Sequence, residues 1–333
     1  MRGLRRPRGF AFAALVAVAW LAVSPPLAAQ DSDVMEELVV SGDQPGPGFW
    51  EVRSGEHRLY ILGTITPLPA KMHWKSSGVE ALIARSQLVL GPIDVKAGIG
   101  FFQGLRLLPS ALKARELPKG ESLSGVLPPA LYARWAPLKQ RYFGRGDRVE
   151  HWRPMFAGGE LYEKALDVAQ LDRRNEIWPV VEKAAKRANV PLRRPEVKLS
   201  IADPKGMLRD FAQAPQDADI QCFESLLTRV ERELPVMRQR ANAWSRGDVP
   251  QLKRLPLDDS ESKCLGAVTA TPAVAREYAE ALRRVRQDWV LAAEGALLRN
   301  ASTVAVVPLR EILAPDGLVA QLKARGYTVT DPD

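Results

Sequence analysis

The hydrophobic and polar residues of this chain form strand-like patterns near both ends of its ordered part. Residues 49–53 and 58–62 are rich in β-forming side chains and flank a Gly-containing turn, which predicts a β-hairpin. Residues 76–86 place apolar side chains at helical spacing behind a serine cap, and residues 88–90 read as a short strand that Gly91-Pro92 ends. The first ordered segment is therefore predicted as β-β-α-β.

The middle of the chain has the apolar periodicity of helices. The predicted helices cover residues 129–143, 155–170, 176–189, 205–213, 217–246 and 272–299. The charged residues of the long fifth helix are expected on its solvated side. They are Arg229, Glu231, Arg232, Glu233, Arg238 and Arg240.

The end of the chain returns to the opening pattern. A buried-strand run at 302–307 precedes a short helix at 316–325, which Gly326 ends, and a strand at 327–329. Strands at both ends with helices between them predict one α/β domain over residues 48–333. Its central mixed β-sheet is formed by the N- and C-terminal β-α-β segments, and its middle, about 129–250, is largely helical.

The N-terminus has the pattern of a secretory signal. Arginines precede an apolar run at residues 10–23, and small residues follow up to Ala29. We predict a signal peptide at 1–29 and a flexible Gly- and Pro-containing lead-in at 30–47. A retained anchor is the alternative, but a span needs ~20 apolar residues. The mature protein is expected in the periplasm or outside the cell, with no membrane span after signal cleavage.

The net charge of +8 does not indicate a nucleic-acid partner. Half of this charge comes from the arginines of the leader, which contains no acidic residue. The remainder is too small and too dispersed for a nucleic-acid footprint. At 46% hydrophobic and 26% charged residues, the composition is that of an ordinary globular protein.

Cys222 and Cys264 are the only cysteines. An even count in an oxidising compartment favours a disulfide between them. The chain-entropy model gives a loop of this length a stabilisation of ~4 kcal/mol. The alternative is two independent buried thiols.

Several short motifs follow one another along most of the chain. They are Gly48-Phe49-Trp50-Glu51-Val52, Leu59-Tyr60-Ile61-Leu62-Gly63-Thr64-Ile65, Trp74, Arg153-Pro154-Met155-Phe156-Ala157, Ala243-Trp244-Ser245-Arg246-Gly247-Asp248 and the tail from Pro315 to Val329. In order and spacing they resemble the TraB/GumN family, which is related to the Tiki-type metalloproteases. The resemblance implies a TraB/GumN-like α/β fold.

The resemblance also implies a metal-dependent hydrolase site made of two Gly-x-x-His motifs and a glutamate. Two imidazoles and a carboxylate at strand ends can hold a divalent ion and leave a position open for water. In this chain Thr66 replaces the first histidine, Arg310 replaces the second, and Gly91 stands at the glutamate position. The nearest carboxylate is Asp94. A glycine-and-aspartate turn of the family corresponds here to Asn175-Glu176-Ile177-Trp178.

The three histidines do not replace the missing ligands. His57, His73 and His151 share no ligand-like spacing. We therefore expect no metal and no cofactor, and we assign no catalytic residue. The candidates for a degenerate cleft are Gly63, Thr64, Thr66, Gly91, Asp94 and Arg310.

Three functions follow as hypotheses. The sequence favours a non-catalytic binding or structural role, in which Arg310 with hydroxyl neighbours would suit an anionic small molecule or peptide. The alternative is a hydrolase or peptidase with an altered site, in which Asp94 or Glu196 would do the acid–base work. A third hypothesis is a partner protein whose helical middle is the interaction surface.

Overall fold

The computed structural model describes residues 46–332 except 71, 99–100, 175–176, 200, 202, 214–215, 256–259 and 269–271. The predicted signal peptide at 1–29 and all but the end of the predicted lead-in at 30–47 lie outside the described residues. Among the residues that the structure describes, no helix combines the length and the apolar character that crossing a membrane requires.

The strands are short, apart from three that build the centre of the molecule. They are β1 (Phe49–Ser54), β2 (His57–Thr64), β3 (Leu68–Pro69), β4 (Leu88–Leu90), β5 (Asp94–Ala97), β6 (Leu171–Asp172), β7 (Leu192–Arg193), β8 (Glu196–Leu199), β9 (Ser302–Pro308) and β10 (Thr328–Thr330).

Most of the helices lie in the part of the chain between β4 and β9. They are α1 (Ser77–Ala84), α2 (Phe101–Ala114), α3 (Leu123–Val126), α4 (Pro129–Phe143), α5 (Pro154–Val168), α6 (Ile177–Arg187), α7 (Pro204–Gln213), α8 (Asp217–Thr228), α9 (Leu234–Ser245), α10 (Val249–Arg254), α11 (Ser260–Val268), α12 (Pro272–Arg299), α13 (Leu309–Leu313) and α14 (Leu318–Ala324). A 3₁₀ turn covers Arg148–His151, and a π-helical turn at Arg229–Glu233 joins α8 to α9.

The main sheet has the strand order β10-β1-β2-β9-β4-β7. Strand β1 is antiparallel to β2 and β10, whereas β2, β9, β4 and β7 run parallel to one another. Both ends of the chain therefore share one mixed sheet, and the predicted α/β fold class is confirmed. Strand β9 is buried along Thr303–Val307 because helices cover a parallel sheet on both faces.

Two apolar cores stabilise the fold. The sheet core packs the strands against α1, α6, α12, α13 and α14, with Ile61, Val89, Trp289 and Val306 fully buried. The helical core joins α4, α5, α8 and α9 around Trp135, Leu161, Phe223 and Met237. Burial of side chains of this size provides most of the free energy of folding. The largely helical middle is thus confirmed and has a core of its own.

The predicted disulfide is present and connects α8 to α11. The Cys222 and Cys264 sulfurs are bonded, and Cys222 is 1% exposed within the helical core. The alternative of two independent thiols is therefore wrong.

The start of α1 differs from its prediction. The hydroxyl of Ser76 donates to the Glu80 carboxylate at 2.7 Å and does not cap the backbone. Ser76 stands at the N-cap position as predicted, but its backbone is helical (φ −85°, ψ −11°), whereas a capping side chain normally belongs to a residue with extended backbone. At the other end of the chain Gly326 has φ +88° beyond α14, which confirms its predicted role in ending that helix.

The charged face predicted for residues 217–246 is only partly solvated. Arg240 is 7% exposed, and the Arg229 guanidinium lies 4.5 Å from the centre of the Tyr162 ring. Helix α9 supplies Met237 to the helical core and Ala241 to the sheet core. Because α9 packs on both sides, the prediction that Arg240 faces solvent is wrong.

Candidate functional site

Three parallel strands of the main sheet end beside one another. The register pairs Gly63 with Val307 and Thr64 with Pro308 across β2 and β9, and β4 pairs with β9 on its other side. Thr66 and Arg310 each lie two residues beyond the last paired position of their strands. These two strand ends are therefore adjacent. The carboxyl edge of a parallel sheet is where α/β proteins usually place ligands.

At the end of β2, tryptophan side chains enclose Gly63. The indole N–H of Trp244 donates to the Gly63 carbonyl at 2.6 Å, and Trp74 meets the Trp244 ring edge-on with the ring centres 5.5 Å apart. A Cβ on Gly63 would lie 2.9 Å from Cζ3 of Trp50 and 3.2 Å from Cδ1 of Ile312. Only glycine therefore fits here without movement of buried neighbours.

At the end of β4, tryptophan side chains enclose Gly91 in the same way. The indole N–H of Trp289 donates to the Gly91 carbonyl at 3.2 Å. A Cβ on Gly91 would lie 2.8 Å from Cη2 of Trp178 and 3.3 Å from Cβ of Arg194. The space that a side chain at position 91 would need is filled by Trp178, which packs against the sheet core.

The carboxylate nearest to Gly91 in sequence belongs to a separate charged cluster. Strand β5 pairs in parallel with β8, which sets Asp94 opposite Glu196. The Asp94 carboxylate lies 3.1 Å from the Arg194 guanidinium and 3.8 Å from Lys96, and Lys96 donates to Glu196 at 2.5 Å. The hydrogen bond from Lys96 lowers the pKa of Glu196. Both carboxylates are thus neutralised by cations.

The end of β9 carries both an exposed cation and a partly buried ion pair. Arg310 is exposed in the first turn of α13, and Thr66 is exposed beyond β2, whereas Thr64 is buried. Glu311 is 4% exposed, and its carboxylate accepts from the Arg286 guanidinium of α12 at 2.6 Å. Glu311 is a buried acid at this edge that the sequence did not indicate.

The histidines lie in three different places. His57 begins β2, at the opposite end of that strand from Thr64, and its Nδ1 lies 2.7 Å from the Asn300 carbonyl. His73 is exposed between β3 and α1. His151 is exposed, with Nδ1 3.2 Å from the Glu121 carbonyl. Within the described parts of the chain, no group of three or more His, Cys, Asp or Glu side chains has an arrangement that could hold a metal ion.

The side chains that shape this edge are chiefly tryptophans, and sequence reasoning did not assign them a role. Trp244 was visible as part of a motif, and Trp178 stands at the changed turn that follows Asn175. Trp289 had no signal beyond the apolar periodicity of its helix. An indole combines a large apolar surface with one N–H donor, so it can fill space and satisfy a strand-end carbonyl together.

The fold defines a mixed α/β protein whose N- and C-terminal segments meet in one sheet, with the candidate site at the carboxyl edge of its parallel strands. The model of the TraB/PrgY/gumN family matches residues 48–331, and the chain belongs to this family. No curated protein and no solved structure shows significant similarity to it.

Proposed function

We propose that this chain is an exported member of the TraB/PrgY/gumN family that has lost the metal-hydrolase site and has a non-catalytic binding or structural role in the periplasm. The observation that carries the proposal is the filled space beside Gly91. Its missing Cβ would lie 2.8 Å from the Trp178 ring, so a glutamate could not project there unless Trp178 moved.

The two histidine positions support the same conclusion. Thr66 offers a neutral hydroxyl, which is a weak ligand for zinc-like ions. Arg310 is a permanent cation at the neighbouring strand end, where it opposes the binding of a divalent cation. Each of the three family positions therefore disfavours a metal for a different physical reason.

The same residues suit an anion better than a cation. Arg310 is exposed next to a strand end that carries the Thr66 hydroxyl. A guanidinium with a hydroxyl neighbour can bind a carboxylate or an acidic sugar through charge-assisted hydrogen bonds. The ligand class that we propose for the cleft is therefore an anionic small molecule or peptide.

Export is part of the proposal and is supported by two features. The chain starts with arginines, an apolar run and small residues, in the order of a signal peptide. The Cys222–Cys264 disulfide is a bond that persists in oxidising compartments and is rare in the cytosol.

A hydrolase with an altered site is the alternative, and the Asp94–Glu196 cluster is the place where it would have to work. Arg194 forms an ion pair with Asp94, and Lys96 forms one with Glu196. A general acid needs a raised pKa, whereas the pKa of Glu196 is lowered. The cluster has the character of a surface ion-pair network.

The experiment compares hydrolysis of an unstructured peptide by the mature protein and by Thr66→His, with and without a chelator. We expect both proteins to remain at background, because Arg310 and Gly91 still disable the site after one histidine is restored. Thr66→Val serves as the matched control for a change at this position. Hydrolysis by the unsubstituted protein that the chelator abolishes would contradict the proposal.

A further inference from the structure

Helix α2 carries a row of exposed apolar side chains. The exposed fractions are 76% for Phe102, 59% for Leu105, 49% for Leu108 and 45% for Leu112. At about 100° per residue these positions fall within an arc of about 120°, which is the width of a face that a helix normally buries. At about 1.5 Å per residue, this apolar face from Phe102 to Leu112 is about 15 Å long.

This exposed face is not the side by which α2 attaches to the protein. Ala114 is 4% exposed and Leu107 is partly buried, and both lie on the opposite side of the helix. Helix α2 contacts α7. The chain beyond α2 is fixed as well. The Arg153 amide donates to the Arg115 carbonyl at 2.8 Å, and the Arg115 guanidinium lies 3.9 Å from the centre of the Trp152 ring. The protein therefore holds α2 in place with its apolar face outward.

The charges of α2 indicate what this face contacts. Arg106 and Lys113 are the only charged residues in Phe101–Ala114, and both are exposed. At helical spacing they follow Phe102 around the helix and border the apolar face on that side. An apolar face bordered by cations is typical of helices that lie in the interface of a bilayer with anionic lipids. A twofold contact that pairs this helix antiparallel with that of a second copy would instead bring the cations of both copies to one side.

We propose that α2 is a membrane-contact surface, on which Phe102, Leu105, Leu108 and Leu112 enter the headgroup region of an anionic phospholipid bilayer while Arg106 and Lys113 bind lipid phosphates. None of these six residues belongs to the candidate cleft. The proposal therefore stands or falls independently of the proposed function.

The test measures co-sedimentation of the mature protein with vesicles of phosphatidylglycerol and phosphatidylcholine, and with vesicles of phosphatidylcholine alone. We expect binding to the anionic vesicles that is about tenfold or more weaker without phosphatidylglycerol and that falls as salt is raised. Leu105→Ser/Leu108→Ser should weaken binding about tenfold or more. Leu291→Ser/Leu298→Ser is the matched control, because Leu291 and Leu298 are similarly exposed, at 55% and 68%, on α12. It should bind like the unsubstituted protein.

A second variant tests the charge separately. Arg106→Gln/Lys113→Gln keeps the apolar face and should also weaken binding to anionic vesicles about tenfold. No binding to anionic vesicles, or equal losses in the α2 and α12 leucine variants, would overturn the proposal. It would also be overturned if the protein sediments as a dimer that Leu105→Ser/Leu108→Ser converts to a monomer, because a second copy would then cover this face.

Discussion

Gly91 has no side chain, and the space beside its Cα holds the ring of Trp178. The nearby carbonyl oxygen of Gly91 accepts from the Trp289 indole, so the end of β4 is fixed from two directions. Gly63 on β2 has the same type of surroundings, with the Trp50 ring in place of Trp178 and the Trp244 indole as donor. At both strand ends, the space beside the glycine is therefore filled by a tryptophan ring.

The packing of Gly91 can be tested with one methyl group. We expect Gly91→Ala to lower the free energy of unfolding by about 1–3 kcal/mol, because the Trp178 ring or the chain must move. The control is Gly78→Ala, since a Cβ on Gly78 in α1 would meet nothing within 4 Å. It should be neutral or stabilising by up to about 1 kcal/mol. Urea denaturation measures both, and equal effects of the two substitutions would show that position 91 is not filled.

At the scale of elements, a buried ion pair joins the start of α5 to α8. The Arg153 guanidinium donates to the Asp219 carboxylate at 2.6 Å and to the Phe211 carbonyl at 2.6 Å. Both side chains of the ion pair are almost fully buried. Burial raises the pKa of Asp219, and Arg153 acts in the opposite direction. The Arg-Pro motif seen in the sequence is therefore explained by helix packing.

Removing one member of this ion pair should lower the stability of the protein. We expect Asp219→Ala to destabilise the protein by about 3–5 kcal/mol, because it leaves the Arg153 charge buried without its carboxylate. The control is Asp288→Ala, whose partner Arg193 lies 2.8 Å away with both side chains about half exposed. It should cost less than about 1 kcal/mol. Similar midpoints for the two variants in thermal unfolding would contradict this account of the pair.

The disulfide tethers α11 to the helical core. Its cysteines are 42 positions apart, which in the chain-entropy model corresponds to a stabilisation of ~4 kcal/mol. We expect reductant to lower the urea midpoint of the unsubstituted protein and to leave that of Cys222→Ala/Cys264→Ala unchanged. Two thiols that react with an alkylating agent in unreduced, denatured protein would contradict the bond.

The elements that the sequence predicted are those with a strong local pattern. The hairpin of β1 and β2, the buried strand β9 and helices α4 to α6 follow from runs of apolar residues at a clear period. Strands β3, β6 and β7 have two residues each and exist only through pairing with distant partners. Helix α2 was missed because Pro109 interrupts its pattern and its apolar residues face outward.

At the scale of the whole molecule, the candidate site is assembled from segments almost 250 positions apart in the chain, from Gly63 to Arg310. The topology that joins them could be predicted, because strands at both ends of one domain share a sheet. The side chains that fill the space at the strand ends could not be predicted. The contacts of Trp178 with Gly91 and of Trp244 with Gly63 depend on the packing of distant helices, which no local pattern encodes.

We propose that the sheet edge formed by β2, β9 and β4 binds no catalytic metal. The most direct measurement is the metal content of the mature protein after incubation with zinc, manganese or cobalt and removal of the free ions. We expect far less than one ion per chain for each metal, with no change in Thr66→Ala or Arg310→Gln. A tightly bound stoichiometric ion that Thr66→Ala removes would contradict it.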